Sequence, residues 1–305
     1  MKRKLYRKYW EERKKSLDNP KGKRLAVDEI LNILKTFHFT ESINILDIGC
    51  GEGYILKMLS DSLKIPIKFT GLDRSNLILQ NAKKTTNTCK DIHDFSFLNI
   101  NISNDKWADN IGKFDIIIAI NVFHEIYSEF LFRKKDNIKS SFLKIIDSAF
   151  KLLKENGVLL IFDGIESDYS FFKNISFRLL NDKVKSKFST FENDYKILPV
   201  EFNRSDNDII SCNYRDFTRF ITKLKFIDTE TWDIERKESY QYFTEKEFLK
   251  MFYKNNMNII CNNSFICDID EWEKNVTIID KNISFPSECI CIIGKKRDTK
   301  YYGKH

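Results

Sequence analysis

Seven consecutive residues, Asp47-Ile48-Gly49-Cys50-Gly51-Glu52-Gly53, put a carboxylate and three glycines where the chain leaves an apolar run. Glycine lets a backbone turn sharply and lets a ligand approach with no Cβ in the way. A turn built for a pyrophosphate has the spacing G-x-G-x-x-G, with the anion at the N-terminus of the next helix. Gly49 and Gly51 fit that spacing, but its third glycine position is Tyr54, and the glycine comes one residue early, at Gly53. Asp47 would repel a pyrophosphate and suits a ligand that carries an amine and a sulfonium. Asp73 ends a second apolar-rich run, where a carboxylate can accept both hydroxyls of a ribose. The chain has only four histidines, His38, His93, His124 and His305, so groups able to move a proton near neutrality are few. His124, with Glu125 behind it, can orient or deprotonate an acceptor, or can hydrogen-bond the backbone of a turn.

These residues need a scaffold that brings several strand ends to one place. Ile45–Ile48 reads as a strand, and Ile55, Leu56 and Leu59 recur at helical spacing after the glycines, which makes a strand, a tight turn and a helix. Lys68–Leu72 and Phe95–Ile100 read as the second and third strands. Phe114–Ile120 is an almost unbroken apolar run, as expected of a central parallel strand buried on both faces. Asn137–Asn156 reads as an amphipathic helix with Phe142, Ile145, Ile146, Ala149, Leu152 and Leu153 on one face, stopped by Gly157. Val158–Phe162 is the fifth strand and ends at Asp163-Gly164. Thr244 and Glu247 form a capping box for a helix running to about Asn255. Met257–Ile266 and Cys289–Gly294 read as a final antiparallel pair of strands.

The run Asp47 to Gly53 matches D/E-x-G-x-G-x-G at every fixed position, and here the chain resembles the class I S-adenosylmethionine-dependent methyltransferases. The match covers about 120 residues in the family's order. The resemblance implies a doubly wound α/β fold: a seven-stranded, mostly parallel sheet whose last strand is antiparallel, with helices on both faces. It implies S-adenosylmethionine as cofactor, with contacts from Asp47, Gly49, Cys50, Gly51, Gly53, Asp73, Arg74, Asn101 and Asn121. Asp73 takes the ribose role and Asn101 lies where the family has an acid or amide near the adenine. Asn121-Val122-Phe123-His124-Glu125 looks like the family's fourth motif, beside the transferring methyl, which makes His124 the catalytic candidate.

Ile165–Tyr240 is too long for an ordinary connection. Phe171–Leu180 and Tyr214–Leu224 read as helical stretches rich in Phe and basic residues, and the whole segment is expected to form an α-helical lid over the substrate. The expected division is a helical cap over 1–40, a cofactor-binding core over 41–164, the lid over 165–240, and completion of the core sheet over 241–305. Tyr6, Tyr9, Trp10 and Leu17 give the N-terminal run an apolar side, and Tyr9, Trp10 and Arg13 are further cofactor candidates.

Charge sits at the ends: Met1–Arg24 holds 11 Lys or Arg against 3 acids, and Lys295–His305 holds 5 against 1. Such ends can attract nucleic acid, though a charge run is more often a solvated face. There is no run of about 18 apolar residues and the N-terminus is too charged for a secretory signal, so a soluble cytoplasmic protein is expected, with no membrane partner. No cysteine pair makes C-x-x-C. Cys261 and Cys267, and Cys289 and Cys291, read as small buried strand residues rather than zinc ligands, and no metal is expected. Strand four ends in Ile-Asn-Val-Phe, not Asn/Asp-Pro-Pro-Tyr, and no Pro-Cys nucleophile follows, which disfavours amino-methylation and cytosine C5 methylation of DNA. The leading expectation is methyl transfer to an N or O acceptor on a small molecule enclosed by the lid. The alternatives are an RNA or protein methyltransferase that uses the basic ends, and a non-catalytic adenosylmethionine-binding protein.

Overall fold

The strand Ile43–Ile48 (β1) alternates its side chains between two cores. Ile43 and Ile45 pack with Ala26, Val27 and Ile30 of the helix Lys23–Thr36, and Leu46 and Ile48 pack on the opposite face with Phe123, Phe142 and Ile146. This period of two is what a strand covered on both faces requires. The computed structural model describes residues 22–36, 42–104, 106–134, 136–168, 173–205 and 208–298. Tyr9, Trp10, Arg13 and most of the basic ends lie outside these residues.

β1 pairs in parallel with Ile67–Asp73 (β2) on one side and Phe114–Ile120 (β4) on the other. Asp94–Asn99 (β3) extends the sheet beyond β2, and Leu153–Gly164 (β5) pairs in parallel with β4. Cys289–Lys296 (β11) runs antiparallel between β5 and Met257–Phe265 (β9). The seven-stranded order is β3-β2-β1-β4-β5-β11-β9, with β11 alone reversed, as expected. Sequence order reverses between β1 and β4, which opens a crevice beyond their C-terminal ends, where open α/β sheets bind ligands. Among the described residues no helix is long and apolar enough to cross a membrane.

The largest shifts from the expected boundaries are at the end of one helix and the start of β5. The helix expected over Asn137–Asn156 is Ile138–Lys151; Leu152 caps it and Leu153 already pairs with Phe114. The chain then bulges through Asn156, at φ 62°, before Val158 resumes the ladder opposite Ile116. A Cβ at Gly157 would lie 2.9 Å from the Lys154 carbonyl oxygen, so this glycine serves the bulge rather than a helix end. The capping box is present: Thr244 Oγ1 accepts from Glu247 N at 3.3 Å, and Glu247 Oε2 accepts from Thr244 N at 3.0 Å.

The segment between β5 and the helix Glu245–Lys254 carries strands as well as helices. Over its described part, the helix expected at Phe171–Leu180 is the strand Asn174–Leu179 (β6). β6 and Ile209–Asn213 (β8) pair antiparallel, with Phe202–Arg204 (β7) on the far side of β8. Helices Asp182–Asp194 and Tyr214–Lys223 pack on this small sheet. The stretch 241–305 does not only complete the large sheet. After β9 the chain forms the helix Ile269–Asn275 and the strand Val276–Ile278 (β10), which pairs with β6, and then returns as β11. Phe177, Phe188, Phe191, Phe217 and Phe220 are buried together with Trp272 in a third core. The segment's aromatic content therefore fills its own interior.

Candidate active site

β1 runs straight into the glycine turn. Gly49 has φ 72° and Gly51 φ 53°, in the left-handed region that side chains with a Cβ adopt at a cost of about 1–2 kcal/mol. At Gly49 there is also no room, because a Cβ would sit 2.5 Å from Val122 Cγ2. The Val122 side chain of the loop after β4 thus lies directly against the backbone of the turn after β1. Gly51 N donates to Asp73 Oδ2 at 3.3 Å and Ser75 N donates to Asp73 Oδ1 at 2.8 Å, so the carboxylate ending β2 braces the turn ending β1.

The cleft is lined by Asp47, Gly49, Cys50, Gly51, Asp73, Arg74, Asn101 and Asn121, eight of the nine residues expected at the cofactor. Gly53 does not line it. It begins the helix Tyr54–Ser62 in the left-handed conformation, and a Cβ there would meet Ala82 Cβ at 3.1 Å, so its smallness lets two helices approach. Asn121 takes φ 52° and donates its backbone N–H to Phe162 O at 2.8 Å, tying the end of β4 to β5. Asn101 Oδ1 accepts from Ser103 N at 3.0 Å. Arg74 turns outward to Glu129, at 2.8 Å.

Asp47 is 2 % exposed, and its Oδ2 is buried with no hydrogen-bond partner. Burial, reinforced by the Asp73 carboxylate and opposed by Lys23, holds its carboxyl well above the ordinary range. Burial also raises Asp73, with Glu125 adding to the shift, while the Ser75 and Gly51 N–H groups act in the opposite sense. Two neighbouring carboxylates, one with an unpartnered oxygen in a ligand-sized cleft, form a site that a cation would complete.

His124 does not line the cleft. It is buried in the first turn of the helix Phe123–Phe132, and its Nδ1 lies 2.5 Å from Asp163 Oδ1. Asp163 also accepts from Phe123 N at 2.8 Å, His124 N at 3.3 Å and Gly164 N at 2.7 Å. With donors on every side, Asp163 is the acceptor, so Nδ1 carries the proton and Nε2 faces away. Nε2 lies 3.8 Å from Glu238 Oε2, and neither atom has a hydrogen-bond partner. Burial works against the imidazolium, but the Asp163 carboxylate outweighs it, and His124 shifts upward.

The cleft wall above Asn121 comes from the inserted segment, through Ile234 and Glu238. Neither was expected from the sequence, since they lie in an irregular stretch more than a hundred residues beyond the fourth motif. Asp163 carried a legible signal, an acid ending a buried apolar run. Cys267 lies past the end of β9, its Sγ 3.8 Å from Cys289 Sγ and close to the Glu288 carboxylate, which also accepts from Lys225 Nζ at 3.3 Å. This cluster lies outside the cleft lining.

The sequence matches the family described as "Methyltransferase domain" over residues 39–214, more than half of the chain. No curated protein sequence matches it significantly. Among solved structures, an S-adenosylmethionine-dependent methyltransferase from Clostridium acetobutylicum aligns over 97 % of this chain and 99 % of its own, with 13 % identity and a TM-score of 0.50. Magnesium protoporphyrin IX methyltransferase from Synechocystis, solved with its cofactor, covers 92 % of this chain and 82 % of its own at 12 % identity and a TM-score of 0.47. The N-methyltransferase NodS from Bradyrhizobium japonicum covers 92 % and 91 % at 11 % identity and a TM-score of 0.43. The chain belongs to the class I S-adenosylmethionine-dependent methyltransferase family. It is an enzyme of that class, and its cofactor is S-adenosylmethionine.

Proposed function

We propose that this methyltransferase acts on a small acceptor held between the ends of β1 and β4 and the inserted segment 165–240. The observation that supports this most directly is that Ile234 and Glu238 share one cleft with Gly49, Gly51 and Asp73. In this reading Asp47 faces the positively charged methionine end of the cofactor, which satisfies its unpartnered Oδ2. Asp73 takes the ribose hydroxyls, and Asn101 lies at the adenine. When bound, the cofactor supplies a methyl group on a positively charged sulfur. The protein's own part is positioning and water exclusion: Val122, Ile126 and Ile234 give the acceptor end apolar walls, and the inserted segment covers it. The N- or O-acceptor carries a proton that must leave, and Glu238 is the carboxylate of the cover that reaches the cleft.

Incubation with methyl-labelled S-adenosylmethionine and, separately, a low-mass cell extract, total RNA and denatured cellular protein tests the reading. Label should enter the low-mass fraction. Amides of 165–240 should exchange more slowly once adenosylhomocysteine and acceptor are both bound, as for a closing cover. Label confined to RNA or protein overturns the small-acceptor reading.

A further inference from the structure

Two cysteines and a glutamate meet where the inserted segment leaves the large sheet. Cys267, just past β9, and Cys289, the first residue of β11, bring their Sγ atoms to 3.8 Å. The Glu288 carboxylate joins them, and the three donor atoms all lie within 4.8 Å of one another. Both thiols are half-buried and in no disulfide, while Glu288 is buried. Both oxygens of Glu288 are oriented: Oε2 accepts from Cys267 N at 3.1 Å, and Oε1 accepts from Lys225 Nζ at 3.3 Å, a cation that also pairs with Asp268. The backbone around the cluster is tied as firmly. Cys289 pairs with Gly164 on one side and Phe265 on the other, Glu288 N donates to Phe265 O at 2.9 Å, and Ile165 N donates to Glu288 O at 3.3 Å.

Two thiolates bound tetrahedrally to one zinc ion, each about 2.3 Å from it, lie about 3.8 Å apart, which is the separation of the Cys267 and Cys289 sulfurs. Two sulfurs with one carboxylate suit a borderline-soft ion such as zinc, whereas magnesium and calcium take oxygen donors. We propose that Cys267, Cys289 and Glu288 bind one zinc-class divalent ion, with water completing the tetrahedron, and that this ion clasps the root of the inserted segment to β9 and β11. The hydrogen bonds on Glu288 are those that fix a metal-bound carboxylate in place. On binding, two S–H bonds break and two sulfur–metal bonds form. The two protons leave to water as one divalent ion arrives, so the net charge of the half-buried cluster is unchanged. The ion joins the two ends of the excursion between β9 and β11 and thereby holds the chain that carries β10 to the small sheet.

The site corrects the reading of these cysteines as small buried strand residues, since Cys267 lies beyond the strand and neither thiol is fully buried. The hydrogen bond with Cys267, burial and the Glu288 carboxylate hold the Cys289 thiol well above its usual range, with Lys225 acting against them. Such a thiol keeps its proton until a cation displaces it. Among the described residues no other three donors of this kind come together. Cys261 and Cys291, on the same two strands, therefore serve as an internal control.

The test uses the full chain, reduced and stripped of metal, and titrates it with cadmium as a thiolate-sensitive probe. Wild type should take up one ion per chain with a sulfur-to-metal charge-transfer band. Changing an outer partner of a metal site costs about 10- to 100-fold in affinity, so loss of a ligand in Cys267→Ser or Cys289→Ser should cost at least about a hundredfold, and Glu288→Gln at least about tenfold. Cys261→Ser should bind as wild type does, and circular dichroism checks that each variant is folded. A second measurement needs no variant. Zinc should shield Cys267 and Cys289 of the wild-type chain from alkylation, read by peptide mass spectrometry, and leave Cys261 as reactive as before. No uptake by the reduced wild type, uptake that survives both serine variants, uptake lost in Cys261→Ser, or alkylation of Cys267 and Cys289 that zinc does not slow would each overturn the proposal.

Discussion

Replacing Asp47 by Asn should make the protein more stable and its cofactor binding weaker at once. Asp47 is almost fully buried, its Oδ2 meets no donor, and burial together with Asp73 keeps its carboxyl well above 3.8. A carboxylate in that position destabilises the cofactor-free protein, and Asn removes the charge at nearly constant volume. Hydrogen bonds to charged groups contribute about 1.5–3 kcal/mol, and about 1.4 kcal/mol is a factor of ten, so the Kd for adenosylhomocysteine should rise about 10- to 150-fold. The pH dependence has a definite sign. Because the folded protein holds the Asp47 proton more tightly than the unfolded chain, with its ordinary value of 3.8, stability falls as pH rises between the two values. Wild type should therefore gain stability on acidification through the folded value toward 3.8, and the variant should lack that component. Thermal melts from pH 4 to 8 and calorimetry at neutral pH measure both effects. An Asn variant with wild-type affinity and an unchanged melting temperature would refute the placement of a cationic ligand end at Asp47.

Three further substitutions probe the scaffold around the cleft. Asp73→Ala removes the acceptor for Gly51 N and Ser75 N as well as for the ribose, and calorimetry should show at least about a tenfold loss of adenosylhomocysteine affinity. Gly49→Ala meets Val122 Cγ2 at 2.5 Å from a left-handed backbone, so the variant should lose about 1–2 kcal/mol from conformation alone and more from the contact, read as a lower urea midpoint with weakened cofactor binding. Asp163→Ala strands the N–H groups of Phe123, His124 and Gly164 and should cost about 3–5 kcal/mol in denaturant unfolding; a change below about 1 kcal/mol would show that Asp163 does not organise the end of β4.

What the sequence revealed and what it hid follow from how local each feature is. The turn from Asp47 to Gly53 is contiguous, and its glycines occupy positions where side chains are excluded, so composition and spacing alone expose it. The central strands carry unbroken apolar runs because both faces are covered. Strand β6 was legible in principle: Ile175, Phe177 and Leu179 alternate and are the buried members of Asn174–Leu179, a period of two that was masked by the surrounding phenylalanines. Asn156-Gly157 inside an apparently helical stretch likewise marks the bulge that opens β5. Glu238 had no such signal. Its role depends on the fold carrying an irregular segment to His124 and Glu125, and no spacing encodes that approach.

The excursion between β9 and β11 bears on how the chain matures as it is synthesised. β6 and β8 can pair once residue 213 has left the ribosome, but the β10 edge of their sheet and the Trp272 side of their core arrive only with residues 269–278. β11, which supplies both remaining edges between β5 and β9, comes later still. The small sheet is thus complete at Ile278 and the large one only at Lys296, although the first strand of the large sheet begins at residue 43. For the same reason the segment 165–240 is not a transplantable cassette: moved to another scaffold without 266–288, it would leave the outer edge of β6 bare, an open invitation to pairing between molecules.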